Sequence, residues 1–404
     1  MQFVPDSIRD KISRAINAEG MFFLAFIPYV AMMMYQTTMF PKNYLTLFKL
    51  LKMGCLAVFV LKILIFDSFT WKQGLMTGAM VFTGIMNWRA SGQTILFMLF
   101  LTIIAAKDIE FKRILKVHIA ICISIMAAAL IAACAGYIDI LKKDVLNANI
   151  RRIGWQYRYG LGIINTTDFA AHVFYITCSF LFLAKKWLSN KVLVLSIITA
   201  LITFRLTFGK TDLLCSVLMV FLCFLDRVTE KHVIKHESKK NVYDNIFKYV
   251  GIIFFPLCMF VSFGLCLAYS EDSHIIVVLN LMFSDRLRLG NIDFQRREIL
   301  PFGQYIDMIG FGNGNSTLGD EGYTFIDISY QNILLTMGVA ALVLILMILV
   351  YICWIYHQNH ILIIIMACIA ISCMMDHHLA EIAYNPFMLL LYSACKSGCN
   401  DNFK

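Results

Sequence analysis

Apolar runs long enough to cross a bilayer recur along most of this chain. A helix needs about 20 consecutive apolar residues to span the hydrocarbon core. Stretches such as "FKRILKVHIAICISIMAAALIAAC" from Phe111 and "MGVAALVLILMILVYICWIY" from Met337 meet that length. Hydrophobic residues make up 60% of the 404 residues and charged ones only 15%, which a soluble core cannot use. The expected fold class is therefore an all-α polytopic membrane protein, a single membrane domain over residues 1–404. Hydropathy predicts about twelve transmembrane helices, near 20–37, 50–66, 73–87, 92–106, 114–137, 168–185, 191–206, 211–227, 246–269, 332–356, 360–375 and 382–395.

The formal net charge of +9 reads as loop charge that sets membrane orientation, and no nucleic-acid partner is expected. The 13 cysteines are scattered through apolar runs and read as small apolar side chains. "PDSIRDKISRAIN" is polar and amphipathic, lacks a cleavage pattern, and leads into a first helix expected to stay as an anchor. An even number of spans puts both termini on one side. That side shares "KDIEFKR", "KKWLSNK" and the loop at 228–245, all lysine-rich, so it is cytoplasmic. The expected location is a bacterial cytoplasmic membrane, with the lipid bilayer as partner. Two long loops, 138–167 and 270–331, then face outward, the larger one before the tenth span.

Lysine follows this orientation rule and arginine goes against it. Nine arginines fall outside: Arg89, Arg151, Arg152, Arg158, Arg205, Arg286, Arg288, Arg296 and Arg297. Topology does not ask for them, and a ligand would. A guanidinium binds phosphate or carboxylate in a bidentate fork and stays charged when partly desolvated. The cluster therefore points to an anionic ligand such as a pyrophosphate at the membrane surface. Pairing with Asp285, Asp293, Glu298 and lipid headgroups is the competing reading.

The first outer loop alternates Arg151, Arg152 and Arg158 with Trp155, Tyr157 and Tyr159, either a headgroup anchor or a sugar-phosphate site. Asn165 follows at a glycine-rich turn. Asp168 and His172 then share one helical face, and intramembrane ionisable groups carry a functional expectation. In the second loop "GFGNGN" follows no convincing strand and has no Lys-Ser/Thr, so it reads as a mobile turn rather than a nucleotide site. Glu321, Tyr323, Asp327 and Tyr330 come next. Asp376, His377, His378 and Glu381 crowd a short segment near the end. Their spacing matches no zinc signature; structural polar packing is the plainest reading, acid–base or substrate hydrogen bonding the next, and a metal the last, so no metal and no cofactor is expected.

As a whole the pattern resembles the Wzy-type polysaccharide polymerases of capsule and O-antigen synthesis, within the wider group that includes O-antigen ligases. The resemblance covers nearly the full chain as architecture. It rests locally on "RYGLGIIN", "SDRLRL…LPFGQYIDMIGFGNG", "IDISYQNILLTMG" and "EIAYNPFMLLL". It implies a GT-C-like, inverting, metal-independent glycosyltransferase that joins undecaprenyl-pyrophosphate-linked oligosaccharide units on the outer face, with a chain-length regulator as an expected partner. Arg152, Arg158, Arg286 and Arg288 would hold the donor pyrophosphate, with Arg296 and Arg297 as second choices. The base would be Asp327, then Glu321, then His377. Trp155, Tyr159, Asn165, His172, Tyr323, Tyr330, His378 and Glu381 would line the sugars. Ligases of the wider group carry a histidine where this chain reads "DISYQN", which favours polymerase over ligase. A lipid-linked oligosaccharide flippase or other transporter is the alternative from a different class.

Overall fold

The computed structural model describes residues 17–144, 157–185, 188–233, 237–310 and 322–395. Over these the chain is all-α apart from one short hairpin, with fourteen α-helices. In order they are α1 Ala18–Gln36, α2 Leu45–Phe66, α3 Trp71–Ser91, α4 Ile95–Ala105, α5 Phe111–Cys134, α6 Thr166–Ala184 and α7 Asn190–Thr207. There follow α8 Lys210–Val233, α9 Glu237–Leu267, α10 His274–Met282, α11 Arg286–Arg296, α12 Ser329–Asn332, α13 Val339–Ile355 and α14 His360–Ser372.

Five helices among the described residues are long and apolar enough to cross a membrane: α1, α5, α6, α7 and residues 240–267 of α9. Several of the twelve expected spans fall short for visible reasons. Helix α4 has 11 residues, and at about 1.5 Å per residue it covers roughly half of a ~30 Å hydrocarbon core. Helix α2 has the length but carries Lys49, Lys52 and Lys62. Lys62 is fully buried, and its Nζ donates to Asp67 Oδ1 at 2.6 Å and to the Lys107 carbonyl at 2.8 Å.

The expected span at 332–356 is broken. A π-helical turn, Ile333–Met337, ends at Gly338, whose φ of +95° is open to glycine and strained for other residues. A Cβ there would lie 2.3 Å from the Gly303 nitrogen. Asn87, inside α3, donates from Nδ2 to the carbonyls of Phe302 at 2.9 Å and Thr336 at 3.1 Å. The first amides of α13 bond to the carbonyls of Leu300 and Pro301. The break thus leaves its backbone groups paired, which a low-dielectric setting demands.

The expected span at 382–395 is not an α-helix. Residues 376–395 form two short 3₁₀ turns, His378–Ala380 and Phe387–Leu391, joined by irregular chain that is nearly all buried. Pro386 explains it, because proline has no amide hydrogen and disfavours helix in the residue before it. Asn385 works locally instead: Nδ2 donates to the Leu379 carbonyl at 2.9 Å, and Oδ1 accepts from the Phe387 amide at 3.1 Å. The segment runs through the bundle to the 106–111 connection, where the Ala394 amide donates to the Ile109 carbonyl and the Phe111 amide to the Ala394 carbonyl. Irregular backbone is tolerated at membrane depth when protein encloses it, as here.

Both loops expected to face outward contain regular structure among the described residues. In the first, Lys142–Asp144 pairs antiparallel with Tyr157–Tyr159. The second contains α10 and α11, which had been expected as loop. The lysine-rich loop at 228–245, expected on the cytoplasmic side, is helical over its described residues, since α8 and α9 extend into it.

Candidate functional site

At one end of the bundle, buried charges from six parts of the chain meet. Arg286 opens α11 after Asp285 takes a left-handed conformation. Its Nη1 donates to Asp376 Oδ1 at 2.7 Å and to the Met375 carbonyl, and its Nε lies 3.9 Å from Asp327 Oδ1. Burial works against the charge on Arg286, but Asp376 and Asp327 outweigh it and hold the guanidinium firmly protonated. Asp327 precedes α12, and its Oδ2 accepts from the Tyr323 hydroxyl at 2.6 Å. Burial raises the Asp327 pKa above the usual carboxylate range, while Arg286 and the Tyr323 hydrogen bond oppose the rise.

Arg158 comes from the short hairpin, opposite Lys143. Its Nε is buried without a hydrogen-bond partner. Burial, and then the charge of Arg286, lowers its pKa, so the two guanidiniums share one electrostatic neighbourhood although 128 positions separate them. Two acids on helices complete the surround. Asp168, in the first turn of α6, is 5% exposed and within electrostatic range of Glu381, Asp376, Asp327 and Arg286. Asp212, in the first turn of α8, is equally buried, and its Oδ1 has no partner.

Beside the charges runs a stack of rings. The His172 ring lies 3.8 Å from Tyr384 with the planes 6° apart, and Tyr384 lies 3.7 Å from His378. His378 is followed at 4.0 Å by His377, which meets the Phe325 edge at 4.6 Å. His172 Nε2 sits 3.0 Å from Thr37 Oγ1, and its Nδ1 is unpartnered. Burial lowers the pKa of His377 to about 3 and of His378 to about 4, so both imidazoles are neutral at physiological pH. Glu381, 3.4 Å from His377 Nε2, has its pKa raised by burial.

Of the residues singled out from sequence, Arg158, His172, Arg286, Tyr323, Asp327, His377, His378 and Glu381 come together. Others are engaged elsewhere. Arg288 is bidentate on Asp285, donating from Nε to Oδ1 at 3.1 Å and from Nη2 to Oδ2 at 2.5 Å. Arg297 holds Asp293 Oδ1 at 3.0 Å and the Thr324 carbonyl at 2.8 Å, and Arg296 also acts on Asp293. For Arg288 and Arg297 the competing reading of local pairing describes what is found. Asn165 caps α6, accepting from the Thr166 amide at 2.9 Å. Tyr330 is fully buried and donates to the Ala370 carbonyl at 2.9 Å. Tyr159 lies on the hairpin opposite Lys142. Arg152, Trp155 and Glu321 lie outside the described residues.

Sequence reading gave no role to Tyr384 or Asp212. Asp212 carried a signal, an acid in the first turn of an apolar helix. Tyr384 carried none, since its place depends on the irregular path around Asn385. No protein-family model, curated protein or solved structure matches this chain.

Proposed function

We propose that the chain is a membrane glycosyltransferase that polymerises undecaprenyl-pyrophosphate-linked oligosaccharide units on the outer face of a bacterial cytoplasmic membrane. One observation carries the reading: Arg158 and Arg286, from the two loops read as outer, share one electrostatic neighbourhood, and Arg286 lies 3.9 Å from the largely buried carboxylate of Asp327. Breaking an anomeric C–O bond builds charge on the departing pyrophosphate, and fixed guanidiniums stabilise that charge. Arg158, with a free buried N–H, and Arg286, held in place by Asp376, suit that task. Asp327 suits the proton transfer. An acceptor hydroxyl oxygen attacks the anomeric carbon of the donor chain, its proton passes to an Asp327 oxygen, and undecaprenyl pyrophosphate leaves with the bonding pair. Arg288 and Arg297, neutralised by neighbouring aspartates, would support the fold of the loop rather than bind the anion.

The test is chain growth by purified full-length protein on lipid-linked repeat units from its own host, resolved by gel. Wild type should give a ladder and release undecaprenyl pyrophosphate, and Asp327→Asn should do neither while keeping its melting temperature. A folded Asp327→Asn protein that builds the same ladder would overturn the proton-transfer role. Consumption of donor without a ladder, on addition of another acceptor, would shift the reading to a ligase.

A transporter reading draws on a different observation. Asp168 and Asp212 sit buried on helices, and Asp212 Oδ1 lacks a partner. Such acids mark ion or proton pathways in carriers. Movement of labelled lipid-linked units across proteoliposomes without any change in their length would favour it.

A further inference from the structure

We propose that His377, His378 and Glu381 form a binding site for a divalent first-row transition metal, with zinc the best fit. The resemblance stated above implies no metal, and the proposal stands independently of the glycosyltransferase reading.

The geometry has the spacing of a ligand set. One donor atom from each residue lies within 4.8 Å of the others. His377 Nε2 is 3.4 Å from Glu381 Oε1, and His378 Nδ1 is 3.7 Å from Glu381 Oε2. Both separations exceed the usual 2.7–3.2 Å of an N–H···O hydrogen bond. They fit atoms that share an ion instead: ligands about 2.0–2.1 Å from zinc sit roughly 3.4 Å apart at the tetrahedral angle.

A second observation is independent of spacing. His378 is 1% exposed, and its Nδ1, the atom facing Glu381, has no hydrogen-bond partner. A buried ring nitrogen 3.7 Å from a carboxylate oxygen, too far to hydrogen-bond it, is a poor arrangement for a protein alone. It is an ordinary one around a cation. The surroundings are acidic in composition: Asp168, Asp327, Asp376 and Glu381 lie within electrostatic range of one another and of Arg286. Arg286 opposes a cation here, and Asp376 at 2.7 Å offsets it.

The ligands are also held. Phe325 packs against His377, Tyr384 stacks on His378, and Asn385 ties the turn to the Leu379 carbonyl. Two imidazoles with one carboxylate suit zinc, manganese, iron or cobalt and disfavour magnesium or calcium. The side chains of His377 and Glu381 remain 15% and 30% exposed. Three protein ligands with one accessible side leave a coordination position open to a small ligand or water.

The full-length protein in detergent would be stripped with a chelator, reloaded with Zn²⁺ or Co²⁺ alone, washed and assayed for bound metal. Wild type should keep about one equivalent. His378→Asn and Glu381→Gln should each lower retention at least tenfold, while His357→Asn, outside the cluster, should not. The Co²⁺-loaded wild type needs no variant to fold, and should show the intense visible bands of a four- or five-coordinate site. Retention no higher than in chelated protein would overturn the proposal. So would variants that bind as much as wild type, or a weak spectrum like that of aqueous cobalt.

Discussion

Arg286 ties two buried aspartates of the site, Asp376 and Asp327, to one guanidinium. Its guanidinium neutralises Asp376, whose side chain is 5% exposed. Removing one member of such a pair costs about 3–5 kcal/mol because the other charge stays buried alone. Arg286→Ala should therefore lower the melting temperature as well as activity. Arg286→Lys keeps the charge, loses the fork, and should fold while losing at least tenfold in turnover. A Lys variant with full turnover would mean that bidentate recognition plays no part. Arg288→Ala should change turnover less than about threefold, because its partner Asp285 is an exposed neighbour worth little. On the proposed mechanism Asp327 sets the pH behaviour. As a base it would have to be ionised, so activity should rise with pH through a pKa that burial has moved up. Tyr323 donates to the ionised form and lowers that pKa, so Tyr323→Phe should shift the acid limb of kcat/KM to higher pH. An unmoved limb would remove Asp327 from the rate-determining protonation. At this scale the sequence was informative about residue type and less so about partners. The arginine excess was visible, but which aspartate each would meet depended on where α11 begins.

Elements were legible where periodicity and length agreed, and illegible where a few polar atoms decide. Helices α1, α5, α6 and α7 follow from their apolar runs. The runs at 332–356 and 382–395 look no different by hydropathy, yet one breaks at Gly338 and the other never becomes an α-helix. The cause lies in Asn87, Asn385 and Pro386, which supply or remove individual hydrogen bonds. Gly338→Ala tests the break. The φ of +95° and a Cβ 2.3 Å from the Gly303 backbone leave no low-energy solution. The expected loss is more than about 2 kcal/mol, read as a fall in melting temperature in detergent. A variant as stable as wild type would show that the two segments move apart at little cost. At the other end of the bundle, Lys62→Ala strands Asp67 and should cost about 3–5 kcal/mol, whereas Lys62→Met with Asp67→Leu should recover most of it.

For the whole molecule, orientation is the property on which the outer site depends. The orientation expected from the lysine bias would put Cys134, at the end of α5, on the outer side. It is also the exposed cysteine among those described, none of which is disulfide-bonded. A membrane-impermeant thiol reagent on intact cells should label Cys134 and an introduced Glu271→Cys, and spare Asn241→Cys until the membrane is opened. Labelling of position 241 alone would turn the arginine loops inward. The sequence could indicate sidedness through its lysines, but not that the final apolar run plugs the interior. That plug has a consequence for how the protein is made. Residues 376–395 follow every helix that encloses them, and they supply Tyr384, Phe387 and Tyr392 to the space between α3, α5 and α6. While the ribosome is still on the preceding codons, the inserted helices would surround an unfilled gap. Until the last stretch threads in, the nascent chain depends on the insertion machinery to shield that gap, and a ribosome stalled before codon 376 would yield a substrate for membrane proteases.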